Sequence, residues 1–276
     1  MGINKKYNVK CHVLAMNSSK FFKAFKIQGR VVFALVLREA AVRYGKTQLG
    51  YLWALLTPII MIFLQVSIFT LIGRHPDLGS DLFLFFATGY LPFMFWRHVT
   101  QQTQNALIAN QALMSYPVVN YLDFFIARFI LELATSIIIW FVIFGFIYLR
   151  GIEFSIKSIL SLLALIFSIG GFGLGVGMIN AGLIKLIPAY ANVFSALSMP
   201  FFIMSGIFYT AASLEPSIRS FLLFFPVLQF SEWMRSIFYI GFNSPYIDFL
   251  YIIIVDLSVL FFGLVLVSST VNKDDK

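Results

Sequence analysis

Residues Gly50 to Ile72 read GYLWALLTPIIMIFLQVSIFTLI, about 23 residues without a charge. At about 1.5 Å of rise per residue, such a helix crosses ~30 Å of hydrocarbon. A turn-rich loop follows at 74–81 (RHPDLGSD), and the chain returns over 82–100, with Pro92 predicting a kink and Trp96, Arg97 and His98 placed near an interface. Further apolar runs occupy 121–149, 158–184, 189–209 and 246–267. The predicted fold is therefore all-α: a polytopic integral membrane protein with six transmembrane helices.

Composition points the same way. Of 276 residues, 60% are hydrophobic and 12% charged, against roughly 25% charged in ordinary globular chains. Phe alone fills 33 positions, and mean hydropathy is +0.88. A soluble enzyme, a nucleic-acid binder and a disordered protein are excluded. The net charge of +8 is unevenly spread: ten of the 20 Lys and Arg lie in the first 46 residues, against the single acid Glu39. Cys11 has no second cysteine to bond, and three scattered His predict no metal cluster. The basic opening lacks an early apolar core and cleavage site, so a retained N-terminus is expected.

Residues 20–44 (KFFKAFKIQGRVVFALVLREAAVRY) interleave charge with Phe, Val and Leu at helical spacing. They predict an amphipathic helix in the headgroup layer, each cation near anionic lipid contributing about 1 kcal/mol; the plainer alternative is a solvated basic leader. Residues 218–242 are long enough to cross but are interrupted by Pro226, Gln229, Glu232 and Arg235. Two short apolar pieces divided by a proline predict a re-entrant hairpin before the last span. With six spans, 14 Lys and Arg fall inside and 5 outside, Arg128 lying within the membrane. That asymmetry puts both termini in the cytoplasm. One domain is expected: 1–49 cytoplasmic with the interface helix, 50–267 the bundle, 268–276 a cytoplasmic tail.

Chemistry-bearing motifs are sparse. AAVRYGKT (40–47) imitates the end of a phosphate loop, yet Ala40 stands where Gly is required and no strand precedes it. ATP and its Mg²⁺ therefore belong on a separate polypeptide, and no cofactor is expected on this chain. Three charges inside spans need partners, because each costs roughly 2.5 to 3.5 kcal/mol on insertion scales. Arg128 and Glu132, four apart, are predicted to pair on one helical face, either structurally or in transmitting motion. Asp256 is expected to bond to another helix; as a cation or proton site it would suit an ion-coupled secondary transporter. The glycines at 171, 173, 175 and 177 form a small-residue face for packing, either within the chain or against a second copy. Tyr51, Trp53, Phe93 and Trp96 are the aromatic candidates for lining a sugar conduit, facing lipid being the other use. The uncharged connector 105–120 predicts a short helix ending before Pro117 that docks on a partner.

Three strings together carry a resemblance. LREAAVRYGKTQLGYLWALLTPI (37–59), NALIANQALMSYPVVNYLDFFIARFILE (105–132) and FFPVLQFSEWMRSIFYIGFNSPYID (224–248) resemble the membrane subunits of ABC-2 type exporters, the capsular polysaccharide export permeases most of all. The motif residues fall on Arg43, Leu49, Gly50, Leu52, Trp53, Leu56 and Pro58, then on Asn110, Gln111, Pro117, Arg128 and Glu132, then on Pro226, Glu232, Arg235, Gly241 and Pro245. The resemblance implies a homodimer bound to two copies of an ABC ATPase in the bacterial inner membrane. It implies export of lipid-linked, often acidic polysaccharide toward periplasmic and outer-membrane components, with O-antigen or teichoic-acid export as the alternative within the family. It also implies ATPase coupling through Arg43, Asn105, Asn110, Gln111, Tyr116 and Pro117, and an exit gate built on Pro226, Glu232 and Arg235. Nucleic acid is not an expected partner.

Overall fold

Gly175 decides how the helices meet. A Cβ there would stand 2.8 Å from the backbone N of Leu260, and one on Gly263 would stand 2.9 Å from the Gly175 carbonyl oxygen. Two helices thus touch backbone to backbone, the close approach that small residues permit. They are α6 (Ile159–Leu186) and α11 (Phe249–Val271). The opposite face of α6 receives α3 (Leu82–Gln104) just as closely, a Cβ at Gly177 meeting the Thr103 side chain at 2.4 Å. The small-residue face therefore serves packing inside one chain, and α6 is the centre on which α3 and α11 converge.

The structure, a computed structural model, describes residues 18–44, 50–114 and 119–271. The side chain of Tyr51, together with Tyr116, Pro117 and the segments 1–17 and 272–276, lies outside the described residues. Among those described, the chain is helical with no strand. The remaining helices are α1 (Ser18–Tyr44), α2 (Gly50–Ile72), α4 (Ala106–Ala109), α5 (Tyr121–Leu149), α7 (Tyr190–Ala196), α8 (Ser198–Met204), α9 (Pro216–Leu222) and α10 (Pro226–Phe238).

Four of these, α2, α5, α6 and α11, are long and apolar enough to cross a membrane. Their outer faces expose Leu71, Phe141, Leu160 and Leu250, a surface that lipid rather than water would cover. α3 has the length but carries Arg97, His98, Gln101, Gln102 and Gln104 in its second half, and it runs through Pro92 without interruption. Its first half is almost wholly buried in an aromatic core with Phe83, Phe85, Phe86 and Phe95.

The predicted helix over 189–209 is shorter than expected and divided. Pro200 has no N–H for the Ala196 carbonyl and crowds it, so helical structure lapses at Leu197. It ends for good at Met204, because Gly206 turns the chain at φ 76°. The expected break near Pro226 is present: α9 stops at Leu222, and Pro226 opens α10 at the first helical position, where its missing N–H is harmless. α5 begins where expected through a capping box, the Leu122 N–H donating to Asn120 Oδ1 at 3.1 Å and the Asn120 N–H to Asp123 Oδ2 at 2.9 Å.

Candidate functional site

α1 lies along α5 and presents one stripe to it. Val31, Val32, Leu35 and Val36 pack against an apolar patch that includes Phe124 and Ala127. Above and below them the stripe turns polar. Gln28 donates to Asp123, Glu39 meets Arg128 at 3.2 Å, and Arg43 pairs with Glu132. The expected Arg128–Glu132 pair is thus replaced, each residue taking its ion-pair partner from α1. Repeats of three and four along α1 bring 28, 32, 35, 39 and 43 to one side, so Glu39 and Arg43 satisfy buried charges of α5.

This cluster also captures the connector after α3. Asn110 is 1% exposed; its Oδ1 accepts from Arg38 Nη1 at 2.6 Å, and its Nδ2 donates to Glu39 Oε1 at 3.1 Å. Arg128 Nη1 donates to the Gln102 carbonyl oxygen at 2.5 Å, and His98 Nδ1 lies 3.8 Å from Glu132 Oε2. Four segments, α1, α3, the 105–114 connector and α5, therefore share one polar network. Of the predicted coupling residues, Arg43 and Asn110 belong to it. Asn105 and Gln111 are exposed on the connector's outer side with Ile108.

At the other end of the bundle, Glu232 and Arg235 of α10 are fully buried and pair at 3.3 Å. Arg235 donates from Nη1 to the Tyr209 carbonyl oxygen at 2.8 Å and from Nη2 to that of Gly206 at 2.7 Å, and its guanidinium covers the Phe85 ring at 4.3 Å. Glu232 accepts from the Ala211 N–H at 3.0 Å and from Ser244 Oγ at 2.6 Å. A charged pair this deep is tolerable because nearly every lone pair and proton is matched. It binds α10 to the 206–211 turn and to the approach to α11. Gly89 of α3 sits directly beneath, a Cβ there falling 2.9 Å from Ile207 Cα. The three predicted gate residues all lie on α10, Glu232 and Arg235 in the buried pair and Pro226 as the buried start of the helix.

Between these ends, α3 and α7–α8 face each other across a narrow cleft, open to the outside, with a free volume of about 40 Å³. Phe93, Trp96, Arg97, Gln101 and Gln104, spaced along one face of α3, look across at Phe194 and Phe201. Trp96 is 3% exposed and packs edge-on to Phe201, with ring centroids 5.7 Å apart. Two of the four aromatic candidates, Phe93 and Trp96, thus line one cleft. Trp53 lies elsewhere, 60% exposed on α2. Sequence reasoning passed over Arg97, Gln101 and Gln104 as cleft residues, although spacings of three and four from Phe93 already put them on one face.

Asp256 accepts from Ser168 Oγ at 2.5 Å, bonding α11 to α6 as expected of a lone acid in a span. Among the described residues, no group of three or more His, Cys, Asp or Glu gathers to hold a metal ion.

Residues 30–239 match the family model described as ABC-2 type transporter, a stretch holding the Glu39–Arg128 and Arg43–Glu132 pairs, the cleft beside α3 and the buried pair of α10. The chain belongs to the ABC-2 type transporter family. Among relatives of this ABC-2 protein, the capsule polysaccharide export inner-membrane protein CtrC of Neisseria meningitidis serogroup B is 27% identical, the match covering 92% of this chain and 96% of that protein. The polysialic acid transport protein KpsM of Escherichia coli is 30% identical over 88% of this chain and 94% of its own. The capsule polysaccharide export inner-membrane protein BexB of Haemophilus influenzae is 26% identical, over 92% and 96%.

Proposed function

We propose that this ABC-2 chain is the membrane subunit of an ATP-driven exporter moving lipid-linked capsular polysaccharide across the bacterial inner membrane. The observation that carries the proposal is an end-to-end match, over about nine-tenths of the chain, to proteins named for capsule polysaccharide export. In this reading α2, α3, α5, α6, the α7–α8 segment and α11 are six spans of one domain occupying 50–267. α1 lies at the inner interface within 1–49, the tail 268–276 is cytoplasmic with the N-terminus, and α9–α10 form the re-entrant hairpin on the outer side. Two copies assemble with two copies of an ABC ATPase, which carries ATP and Mg²⁺, and pass the polymer toward periplasmic and outer-membrane components.

The geometry supports a mechanical role for each site. Closure of the ATPase presses on the exposed side of the connector, around Asn105, Ile108 and Gln111. The network through Asn110, Glu39 and Arg128 passes that displacement to α1, α5 and the Gln102 end of α3. Thirteen residues earlier on α3, about 20 Å away along a helix, Gly89 touches the turn that Arg235 holds. A shift of α3 thus reaches both the cleft and the hairpin. Asp256 serves helix packing, its Oδ2 accepting from Ser168 across the α6–α11 contact.

Co-purification from the inner membrane tests the assembly, together with tags on both ends of the chain. A stoichiometric ABC ATPase and two cytoplasmic tags are expected. An isolated chain, or tags on opposite faces, contradicts the arrangement.

A further inference from the structure

A groove runs between α5 and α6 in the half of the bundle away from the connector. Its free volume is about 460 Å³, within the range of small-molecule sites. From Ile137 to Tyr148 its wall on α5 follows spacings of three and four, a stripe about 16 Å long at helical rise. Leu162 and Ile166 of α6 form the other wall, and Phe238 of α10 lies at the floor, buried. Among the described residues that line it, only Trp140 and Tyr148 carry a polar side-chain atom, and none carries a charge.

These dimensions select the occupant. That volume, spread along the stripe, is a channel about 5–6 Å across, the width of a single polymethylene chain in van der Waals contact with both walls. A helix of a second copy, about 10–12 Å in diameter with its side chains, does not enter it. Water finds too few polar partners there, and a charged headgroup or a sugar finds nothing to match its charge or hydroxyls. Left empty, the walls forfeit their dispersion contacts. Both walls belong to helices long and apolar enough to cross a membrane, and the rim residues Phe141 and Tyr148 are exposed, so hydrocarbon is the medium at the mouth.

The floor gives the occupant a task. Phe144 of α5 stacks on Phe238, with ring centroids 3.9 Å apart and planes at 10°. The Ser155 and Lys157 N–H groups donate to the Phe238 and Ile237 carbonyl oxygens at 3.3 and 3.2 Å. The groove therefore opens on the joint by which the end of α10 leans on α5 and on the segment before α6. We propose that this groove holds one acyl chain of a membrane phospholipid, which fills the space beside the Phe144–Phe238 stack and stiffens the seat of α10. It does so whatever cargo the chain moves.

Gly145 provides the test. A Cβ there meets nothing within 4 Å, so Gly145→Leu puts a side chain into the groove without a clash at its base, and it removes a helix-weakening glycine. Val142→Phe adds bulk on the exposed face of the same helix outside the groove. The full chain is purified from membranes in mild detergent and weighed by native mass spectrometry, then stripped of lipid and melted with and without dioleoyl phosphatidylcholine. The parent and Val142→Phe are expected to retain one phospholipid per chain more than Gly145→Leu does, and to gain about 2–4 °C in melting temperature when lipid is returned. Gly145→Leu should start nearer the lipid-filled value and gain little. In vesicles of phosphatidylcholine brominated at mid-chain, the emission that Trp140→Phe removes should be quenched in the parent and spared in Gly145→Leu. A Gly145→Leu chain that keeps the lipid and its response overturns the proposal, as does unquenched Trp140 emission in the parent. So does retention of an isoprenoid or glycolipid in place of the phospholipid. A disulfide formed in high yield between two copies through Tyr148→Cys, in a Cys11→Ser background, overturns it too, since a second copy then covers the groove.

Discussion

Arg128 Nη2 of α5 lies 3.2 Å from Glu39 Oε1 of α1, and the same oxygen accepts from Asn110 at 3.1 Å. One carboxylate thereby joins a peripheral helix, a span and the connector on which an ATPase would press. The Arg128 side chain is 7% exposed and that of Glu39 17%, so water screens the contact only weakly.

Replacing Glu39 by Gln keeps an acceptor for Asn110 but leaves Arg128 without its counter-charge. A loss of about 2 kcal/mol is expected, the scale of a hydrogen bond to a charged group. Thermal unfolding in detergent measures it. Reversing both charges, Glu39→Arg with Arg128→Glu, should recover part of the loss, and no recovery would mean that the two residues do not act as a pair.

The connector should separate two kinds of defect. Ile108→Asp changes a side chain that is 59% exposed, so insertion and melting temperature should hold while ATP hydrolysis continues without export. Asn110→Ala removes a buried partner of Arg38 and Glu39 and should lower stability by roughly 1–3 kcal/mol. Hydrolysis and export measured side by side on both variants check this; an Ile108→Asp protein that still couples the two contradicts docking at that face.

Arg235→Met strands the buried Glu232 carboxylate and should cost about 3–5 kcal/mol. Adding Glu232→Leu should return some of that but not all, because the Ala211 N–H and the Gly206 and Tyr209 carbonyls then lose their partners. Unfolding midpoints of the single and double variants give the answer, and a double variant less stable than the single one would refute the claim of an uncompensated charge.

Two neighbouring glycines of α6 make a sharp pair. Gly175→Ala puts a methyl 2.8 Å from the backbone of Leu260 and should destabilise by about 1–3 kcal/mol as α6 and α11 are forced apart. Gly171→Ala meets only a Leu260 methyl at 3.9 Å and should stay within roughly 0.5 kcal/mol of the parent. Similar melting of the two would show that the contact adjusts freely.

The helices that the sequence announces most clearly are those bounded by abrupt changes in composition. α2 and α5 have the expected limits, because the apolar run of α2 gives way to a turn at Gly73 and α5 opens on the Asn120 capping box and stops before Gly151. The segment after α6 was less legible: Pro200 and Gly206 sit within an apolar run whose average hydropathy hides the break they cause. Which polar groups pair across helices was harder to read, although Asp256 was expected to bond to another helix and does. Arg128 and Glu132 are ideally spaced to meet on one helix, yet the stripe at 39 and 43 of α1 outcompetes that geometry, a tertiary fact with no local signature. Arg97 read as an interface residue because helix ends collect Arg and Trp, and only the facing rings of α7–α8 reveal the cleft beside it.

Uptake of labelled lipid-linked capsular polysaccharide into inside-out vesicles tests the central claim most directly. The chain is reconstituted with an active ATPase partner, with a hydrolysis-dead partner, or alone. Polymer should accumulate only with the active partner and ATP. Accumulation by the chain alone, or driven by an ion gradient without nucleotide, would contradict it.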